Sequence, residues 1–443
     1  MNNSGSSLGG FRQRITLLAI LSTSLLFSVS TTARAQKFGD SDRARGRRIL
    51  KGVKTELKDK YYDPGFHGID IDTVFEKAEG LMAQANSNND LWSVIAQCLM
   101  LLDDSHTRFY PPIRLVDTNY GWDMQMIGDK CYVIYVEPGS DAEVKKLSVG
   151  DQVLSVEGIA PTWDNLTTIH YLFNSLHPQS GLRVVVSGLG GEQRNLAAMA
   201  KVKEGKAFRN YSIFDEADER QKYKDYVRLH RNRFHEISND VLIWKMPQFD
   251  DADEQIDGFM RRAKKFKSLV LDLRGNSGGY ESTLKRLLSY FTEADTKIGD
   301  INRRKESKPL TIKSQGGEVF RGKLLVLVDS RSASAAELFA RTIQLEKRGT
   351  VIGDRTAGAV MRSRFYEMPE YYALSITDAD IIMSDGKRLE HVGVAPDILM
   401  LPSGADLAAR HDPVLAHAVS LLGTIMTSEQ AGAVFPREEP SRR

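Results

Sequence analysis

The sequence has few cysteines, no uninterrupted apolar run long enough to cross a membrane, and no excess of charge of one sign. Its 443 residues include two cysteines, and the formal net charge at pH 7 is +2. This near balance argues against nucleic acid as a partner, because binding phosphate normally requires a basic face. No metal-ligand spacing and no nucleotide-binding motif occurs, so the sequence predicts no cofactor.

The two cysteines, Cys98 and Cys131, allow two interpretations. One disulfide is compatible with an oxidising compartment. However, Cys98 lies in a helical apolar pattern and Cys131 opens a strand in a different segment, which favours two buried thiols.

The first 35 residues differ from the rest of the chain. Arg12 and Arg14 precede a short apolar stretch over residues 15–29 that Ser and Thr interrupt, and an Ala-Arg-Ala site ends at Ala35. This pattern is typical of a signal peptide, and it is too short and broken for a membrane-spanning helix. The sequence therefore predicts export to the periplasm or the cell exterior, with membrane contact only through this removable segment.

The remaining chain is long enough for two or three folded units. Helical periodicity over residues 36–113 predicts a small helical domain, and short strands with Gly turns over 114–205 predict a β module. Buried strands alternate with helices over 206–425, which indicates an α/β core. Residues 426–443 are polar and rich in Pro and Glu, so they predict a disordered tail.

Three segments of the α/β region follow strands, where open sheets place their active sites. They read LDLRGNSGG at 271–279, DSRSASAAE at 329–337 and LEHVGVAPD at 389–397. Paired glycines let backbone N–H groups approach a ligand, and a Ser before a helix N-terminus sits beside free N–H donors. Each segment alone also fits an ordinary turn or a helix cap.

In this order, the three segments resemble the carboxy-terminal processing (tail-specific) peptidases, whose relatives include the tricorn core protease. YDP at 62–64 and DDSHTRF at 103–109 match as well, and PGSDA at 138–142 with LSVGD at 147–151 resembles a PDZ domain. The resemblance covers residues 40–422. It implies a multidomain α+β chain with an N-terminal helical unit, a PDZ-like β module and a ClpP/crotonase-like α/β peptidase core.

The resemblance also implies roles for single residues. Ser334 matches the nucleophile, and the N–H groups of Gly279 and Ala335 match the oxyanion hole. The segment Tyr120-Gly121-Trp122-Asp123 occupies the place of the loop that receives a peptide terminus, with a groove closed by a helix over residues 167–176. An extended peptide would join that groove as an added strand.

One departure from the pattern concerns the base. The better-known branch pairs its Ser with a Lys, and here that position is Ala359. The tricorn-like branch uses His with a carboxylate, so we expect His106 as general base, oriented by Glu390 through a hydroxyl such as that of Ser105. His391 is the competing base.

These observations predict an exported serine endopeptidase that cleaves unstructured polypeptides through Ser334, with possible homo-oligomers. The PDZ-like module would bind a carboxy terminus or regulate access. Ala359 keeps a second hypothesis open, an inactive scaffold with a peptidase fold. A hydrolase of non-peptide esters is a third, because a fold does not fix the substrate.

Overall fold

The computed structural model describes residues 38–112, 116–204, 206–208, 211–213 and 224–436. The predicted signal peptide lies outside these residues. The helices are α1 (Asp40–Lys60), α2 (Ile71–Ala83), α3 (Asn88–Met100), α4 (Asp141–Val144), α5 (Leu166–Tyr171), α6 (Asp253–Ala263), α7 (Glu281–Leu288), α8 (Ala335–Leu345), α9 (Gly404–Ala409), α10 (Pro413–Ser420) and α11 (Ser428–Val434). The strands are β1 (Arg108–Tyr110), β2 (Val116–Asn119), β3 (Trp122–Ile127), β4 (Lys130–Val136), β5 (Gln152–Val156), β6 (Gly181–Ser187), β7 (Gln193–Met199), β8 (Lys201–Glu204), β9 (Lys206–Phe208), β10 (Tyr211–Ile213), β11 (Arg233–Ile237), β12 (Val241–Lys245), β13 (Ser268–Asp272), β14 (Thr296–Arg303), β15 (Ser307–Ile312), β16 (Lys323–Val328), β17 (Thr350–Gly353), β18 (Met361–Glu367), β19 (Ala373–Met383) and β20 (Ile398–Leu399).

Helices α1, α2 and α3 pack on one another at the start of the described chain. The apolar side chains of α1 that recur at helical spacing, including Ile49, Val53 and Leu57, are buried in this cluster. Asp70 caps α2 and Ser87 caps α3 through side-chain oxygens that accept N–H bonds from the first turn. The same core continues into the β module and into the N-terminal end of β19.

A five-stranded antiparallel sheet follows, with the order β3-β4-β5-β6-β7. Strand β3 is an edge of this sheet. The helix predicted over residues 167–176 is present as α5 followed by a π-helical turn at Leu172–Leu176. Its apolar face buries Ile169, Leu172 and Phe173 against the sheet core.

The central sheet has the order β11-β12-β13-β16-β17-β20, and its strands from β12 onward are parallel. Strands β12, β13 and β16 are apolar runs because both faces of the sheet are covered. Side chains such as Leu242 and Trp244 face the core with α6, α7 and α8, whereas Val241 and Ile243 face α10 and α11. This mixed architecture confirms the α+β class.

A second, five-stranded sheet is built around the long strand β19. Strands β1 and β18 pair with its N-terminal part, and β14 pairs with its C-terminal part. Strand β1 follows directly after the segment that contains His106, and β18 begins two residues after Ala359. The second sheet therefore joins segments that the sequence places far apart.

The prediction of a disordered tail from residue 426 is wrong for the described part of that segment. Ser428–Val434 forms α11, which Thr427 caps, and Ala431 is buried against α10. Packing on α10 and the central sheet orders this segment. Among the described residues, no helix has the length and apolar character needed to cross a membrane.

Cys98 and Cys131 are both buried and carry free thiols. Burial raises the pKa of each thiol to about 12, so neither is a reactive thiolate near neutral pH.

Candidate active site

Ser334 lies at a sharp turn between the parallel strand β16 and helix α8. It has φ +54° and ψ −117°, a backbone conformation that a residue with a Cβ rarely adopts. Such strain persists only where surrounding contacts enforce it, and it is frequent at catalytic positions. The strand, turn and helix therefore present a half-buried Ser side chain immediately before a helix N-terminus.

The glycine segment after β13 packs directly against this turn. A Cβ added to Gly278 would lie 2.7 Å from Ser334 Cβ, so only glycine allows this approach. Gly279 has φ +146° and pairs with Phe249, whose carbonyl accepts the Tyr280 N–H. Gly278 N–H is bonded to Asn276 Oδ1 at 2.8 Å. The Gly279 N–H is left without a partner among the described residues.

The second N–H of interest belongs to Ala335, the first residue of α8. The first N–H groups of a helix have no intrahelical acceptor, and no other described residue accepts the Ala335 N–H. The positive end of the α8 helix dipole also lies at Ala335. The N–H groups of Gly279 and Ala335 thus have no acceptor among the described residues, and their role as an oxyanion hole stays a prediction.

Asn276 joins the glycine segment to the Ser334 turn, and the sequence reasoning missed it. Its side-chain Nδ2 donates to the Met246 carbonyl at 2.9 Å, and its backbone carbonyl accepts the Ala333 N–H at 2.9 Å. Asn276 is fully buried. An Asn placed between two turn glycines is the sequence signal that could have identified it.

His106 is linked to Glu390 through Ser105. Ser105 Oγ lies 2.7 Å from His106 Nδ1 and donates to Glu390 Oε2 at 3.0 Å. Ser105 N–H donates to Glu390 Oε1 at 2.7 Å, and Val360 N–H donates to Oε2 at 2.7 Å. Val360 also links this network to Ser334, because the carbonyl of the adjacent Ala359 accepts the Ser334 N–H at 2.9 Å.

This arrangement determines the tautomer of His106. Glu390 accepts three hydrogen bonds from N–H and O–H groups, so it is a carboxylate even though burial raises its pKa. The single Ser105 hydroxyl proton points to Glu390, and Ser105 Oγ therefore accepts a bond from His106 Nδ1–H. The lone pair of the imidazole is left on Nε2, the atom that a general base would use.

Burial also favours the neutral imidazole. Desolvation lowers the pKa of His106 to about 4, with nearby Arg108 lowering it further and Asp104 opposing the shift. Neither Ser334 Oγ nor His106 Nε2 has a hydrogen-bond partner among the described residues, so the two are not directly bonded. Catalytic hydrogen bonds are often open before substrate binds.

Asp104 fixes the backbone of the His106 segment. Its Oδ1 accepts the N–H groups of His106 at 2.9 Å and Thr107 at 2.6 Å, and the Thr377 hydroxyl at 2.9 Å. This turn ties the segment to β19 and sets the direction in which the imidazole projects.

His391, the competing base, is placed differently. It is exposed and has φ +61°, and its Nε2 lies 2.7 Å from the Asp103 carbonyl. A carbonyl only accepts, so Nε2 carries the proton, and the lone pair of the neutral ring is on Nδ1.

Glu337 is buried behind Ser334. It accepts four bonds, from Ser334 N–H at 3.0 Å, Ala359 N–H at 2.9 Å, Gly358 N–H at 2.8 Å and the Thr356 hydroxyl at 2.5 Å. Burial raises the pKa of Glu337 to about 7, and the four donors oppose this shift. The carboxylate holds the Ser334 turn against the segment that carries Ala359.

The four predicted peptide-binding residues do not share one free surface. Tyr120 is buried, and its hydroxyl bonds to the Phe173 carbonyl. Gly121 N–H is already bonded to Asn119 Oδ1 at 2.8 Å. Trp122 begins β3 with a buried indole N–H, and Asp123 pairs with Arg331 at 2.7 Å. A terminal carboxylate would therefore have to displace existing bonds in this segment.

At the end of β13, Arg274 forms an ion pair with the buried Asp272 carboxylate. Arg274 also binds Asp412 at the N-terminus of α10. The positive charges of Arg274 and Lys245 hold the pKa of the Asp272 carboxyl well below its usual range, although burial opposes them. The pair connects the glycine segment to the C-terminal helices.

Comparison with known proteins agrees with this arrangement. Residues 240–400, which contain Ser334, Gly279 and Glu390, match the model of peptidase family S41. Residues 240–400 thus form a segment of the peptidase family S41 type. The match confirms the resemblance found in the sequence and indicates a serine-type peptidase.

Two curated relatives extend the similarity beyond that segment. Tricorn protease homolog 2 of Streptomyces coelicolor is 25% identical over 377 residues, which are 82% of this chain and 31% of that protein. The carboxyl-terminal-processing protease of Picosynechococcus is 24% identical over 323 residues, 70% of this chain and 73% of that protein. The chain thus spans less than a third of the first relative and most of the second.

Among solved structures, mature CPAF has a similar fold. The TM-score is 0.64 at 14% sequence identity, and the match covers 83% of this chain and 95% of CPAF. This likeness supports the peptidase fold of the chain.

Proposed function

We propose that the chain is an endopeptidase that cleaves unstructured polypeptides by acyl transfer through Ser334, with His106 as general base. The observation that carries the proposal is the hydrogen-bonded series from Glu390 through Ser105 to His106, which leaves Nε2 unprotonated. This series supplies a base despite Ala359, the residue that favoured an inactive scaffold.

In the acylation step, His106 Nε2 takes the hydroxyl proton of Ser334 as Oγ bonds to the scissile carbonyl carbon. The imidazolium then transfers that proton to the leaving amine as the peptide bond breaks. Ser105 Oγ accepts from Nδ1–H throughout, and the Glu390 carboxylate stabilises the imidazolium through the Ser105 hydroxyl. In deacylation, His106 Nε2 takes a proton from water as its oxygen bonds to the acyl carbon. The imidazolium then returns that proton to Ser334 Oγ as the ester bond breaks and the carboxylic acid product leaves.

The negative oxygen of the tetrahedral intermediate would lie between the N–H groups of Gly279 and Ala335. Both are unpaired in the described chain, so no existing hydrogen bond must break to receive it. Preorganised donors of this kind stabilise the transition state because they do not reorient during the reaction.

The β module is proposed to be a PDZ-like unit that couples polypeptide binding to the nucleophile turn. Arg331, three residues before Ser334, donates to Asp123 at 2.7 Å and to the Met124 carbonyl at 2.8 Å. Gln125 Nε2 donates to Asp329 at 3.0 Å. These bonds occupy part of the β3 edge, where an added strand would bind.

Export, by the signal peptide predicted over residues 1–35, completes the proposal. An exported peptidase would meet unfolded or newly translocated chains, which are the extended substrates that a strand-binding module accepts.

Labelling of the mature protein with a fluorophosphonate tests the proposal. We expect the wild type to be labelled covalently at Ser334, because the probe reports an activated serine. Ser334→Ala should lose all labelling, while Ser330→Ala, four residues earlier in the same turn, should keep it. Absence of labelling in folded wild-type protein would favour the scaffold hypothesis.

The pH dependence of kcat/KM tests the role of His106. Since the pKa of His106 is lowered to about 4, the base stays neutral well below pH 6.5, and the acidic limb should have its midpoint below the ordinary histidine value. Arg108→Gln should move this midpoint upward, because Arg108 lowers the pKa. A midpoint near 7 that Arg108→Gln leaves unchanged would assign the limb to another group such as Glu337.

A further inference from the structure

Tyr280 directly follows Gly279, the residue whose N–H is proposed to receive the scissile carbonyl oxygen. Its side chain is 66% exposed, and Gly279 is exposed beside it while Ser334 is half-buried. Gly278 joins these residues, since a Cβ added to it would lie 2.7 Å from Ser334 Cβ. Solvent therefore reaches Ser334, Gly279 and the Tyr280 ring alike. The chemistry proposed for Ser334 gives the Tyr280 side chain no role.

Backbone hydrogen bonds fix the direction of the Tyr280 side chain. Phe249 N–H donates to the Gly278 carbonyl at 2.8 Å, and the Phe249 carbonyl accepts the Tyr280 N–H at 2.6 Å. These two bonds make a parallel bridge between Phe249 and Gly279, and Phe249 is fully buried. Because side chains alternate between the two faces of an extended chain, Tyr280 projects from the opposite, exposed side of the bridge.

Asp250 is the neighbour of Tyr280 across this bridge. It follows Phe249 as Tyr280 follows Gly279. Adjacent strands are about 5 Å apart, so the two residues leave the bridge side by side on its exposed side. Asp250 is exposed, and it forms no hydrogen bond or ion pair with another described residue. A carboxylate beside an aromatic ring attracts a cation through its charge and through the face of the ring.

Tyr226 borders the same side of the bridge. Gln248 precedes Phe249, so its side chain lies on the side of Asp250. Gln248 Oε1 accepts the Tyr226 hydroxyl at 2.8 Å, and Tyr226 is 46% exposed. The Asp250 carboxylate is therefore bordered by one phenol across the bridge and by another about two residues back along its own chain.

A substrate carbonyl bound at the Gly279 N–H brings the neighbouring substrate side chains to this surface. Consecutive Cα atoms are about 3.8 Å apart, and an extended chain advances about 3.3 Å per residue. The Tyr280 ring is therefore within reach of substrate residues up to about two positions from the scissile bond. The occupant is the substrate, because a polypeptide whose carbonyl oxygen lies at the Gly279 N–H must pass next to Tyr280.

We propose that Tyr280 and Asp250 form a specificity site for a basic side chain, Arg or Lys, at one substrate position close to the scissile bond. The aliphatic part of that side chain packs on the Tyr280 ring, and its charged head lies at the ring face and pairs with the Asp250 carboxylate. This inference rests on the proposed function and adds a substrate class to it, namely polypeptides with a basic residue beside the cleaved bond.

The test uses peptides built around one bond that the full-length enzyme cuts in unfolded casein, with Arg or the neutral Met at each position up to about two residues from that bond. We expect kcat/KM to be about tenfold higher for Arg than for Met at one position. Tyr280→Ala and Asp250→Asn should each reduce this ratio to about threefold or less. Tyr280→Phe, which keeps the ring, and Asp253→Asn, which removes another exposed carboxylate, should keep the ratio. Partial unfolding of a variant does not change the ratio, because both peptides meet the same protein.

Binding of the same peptides to the Ser334→Ala protein, measured by fluorescence anisotropy, separates this inference from the proposed function. We expect the same ratio of about tenfold in the dissociation constants where no bond is cut. Cleavage of casein with no position that prefers Arg over Met would overturn the specificity site and leave the proposed function standing. Absence of any cleavage would overturn the proposed function, and this inference with it. An equal fall of the ratio in Asp253→Asn and Asp250→Asn would also overturn the site, since general attraction to a negative surface would then explain the preference.

Discussion

Substitution of His106 by Ala is expected to reduce kcat/KM for polypeptide cleavage on the order of 10⁴-fold. Without the imidazole, no group accepts the Ser334 proton, and what remains is binding and stabilisation by the Gly279 and Ala335 N–H groups. The measurement is steady-state cleavage of an unfolded protein substrate, with circular dichroism to show that the variant folds.

His391→Ala is the matched control, since it removes the neighbouring histidine of the same site. Its Nε2 donates to the Asp103 carbonyl, so its loss should change kcat/KM by less than about tenfold. If His391→Ala lost as much activity as His106→Ala, or if His106→Ala remained active, the assignment of the base would be wrong. Ser105→Ala breaks the connection from His106 to Glu390. Its kcat/KM should lie between those of His106→Ala and His391→Ala.

Substitution of Glu337 by Leu is expected to lower the free energy of unfolding by about 3–5 kcal/mol. Leucine fills a similar space, but it leaves the Gly358 and Ala359 N–H groups and the Thr356 hydroxyl without acceptors in a buried region. Urea denaturation measures the change. The labelling of Ser334 should fall as well, because only the bond from the Ser334 N–H to the Ala359 carbonyl still holds its turn against that segment.

Glu346→Gln provides the control for that experiment. Glu346 ends the same helix α8, but it is exposed, so its change should alter the free energy of unfolding by no more than about 0.5 kcal/mol. Equal destabilisation of both variants would show that any carboxylate on α8 matters. A stable Glu337→Leu protein would contradict the organising role of Glu337.

The nucleophile and its base could be proposed from the sequence because each lies in a short motif. Ser334 stands between a buried strand and a helix, and Ser105 adjoins His106, so a bridging hydroxyl was a local inference. The structure places Ser105 Oγ within hydrogen-bond distance of both His106 and Glu390. The choice of His106 over His391 stays a prediction. The contact of His391 Nε2 with the Asp103 carbonyl, which distinguishes the two histidines, has no sequence signal.

Contacts between distant segments were beyond the reach of the sequence. Asp123 and Arg331 are 208 residues apart, and nothing in either segment indicates that they pair. Tyr120 has the same limitation, since its burial depends on the turn after α5. The helix α11 was missed although Thr427 and Gln430 form a capping box, because Pro and Glu in the following residues dominated the composition.

The contacts of Asp329 have a consequence for how activity can be controlled. Its Oδ1 accepts the Gly275 N–H at 2.8 Å and the Arg331 and Ser332 N–H groups, and its Oδ2 accepts from Gln125. One carboxylate thus binds three elements at once: the glycine segment, the Ser334 turn and the edge strand of the β module. Closely packed elements linked in this way switch between discrete arrangements rather than deforming gradually. Displacement of β3 would then move Ser334 and the glycine segment that carries Gly279 out of alignment together. The site would therefore be either fully assembled or inactive, with no partly active intermediate.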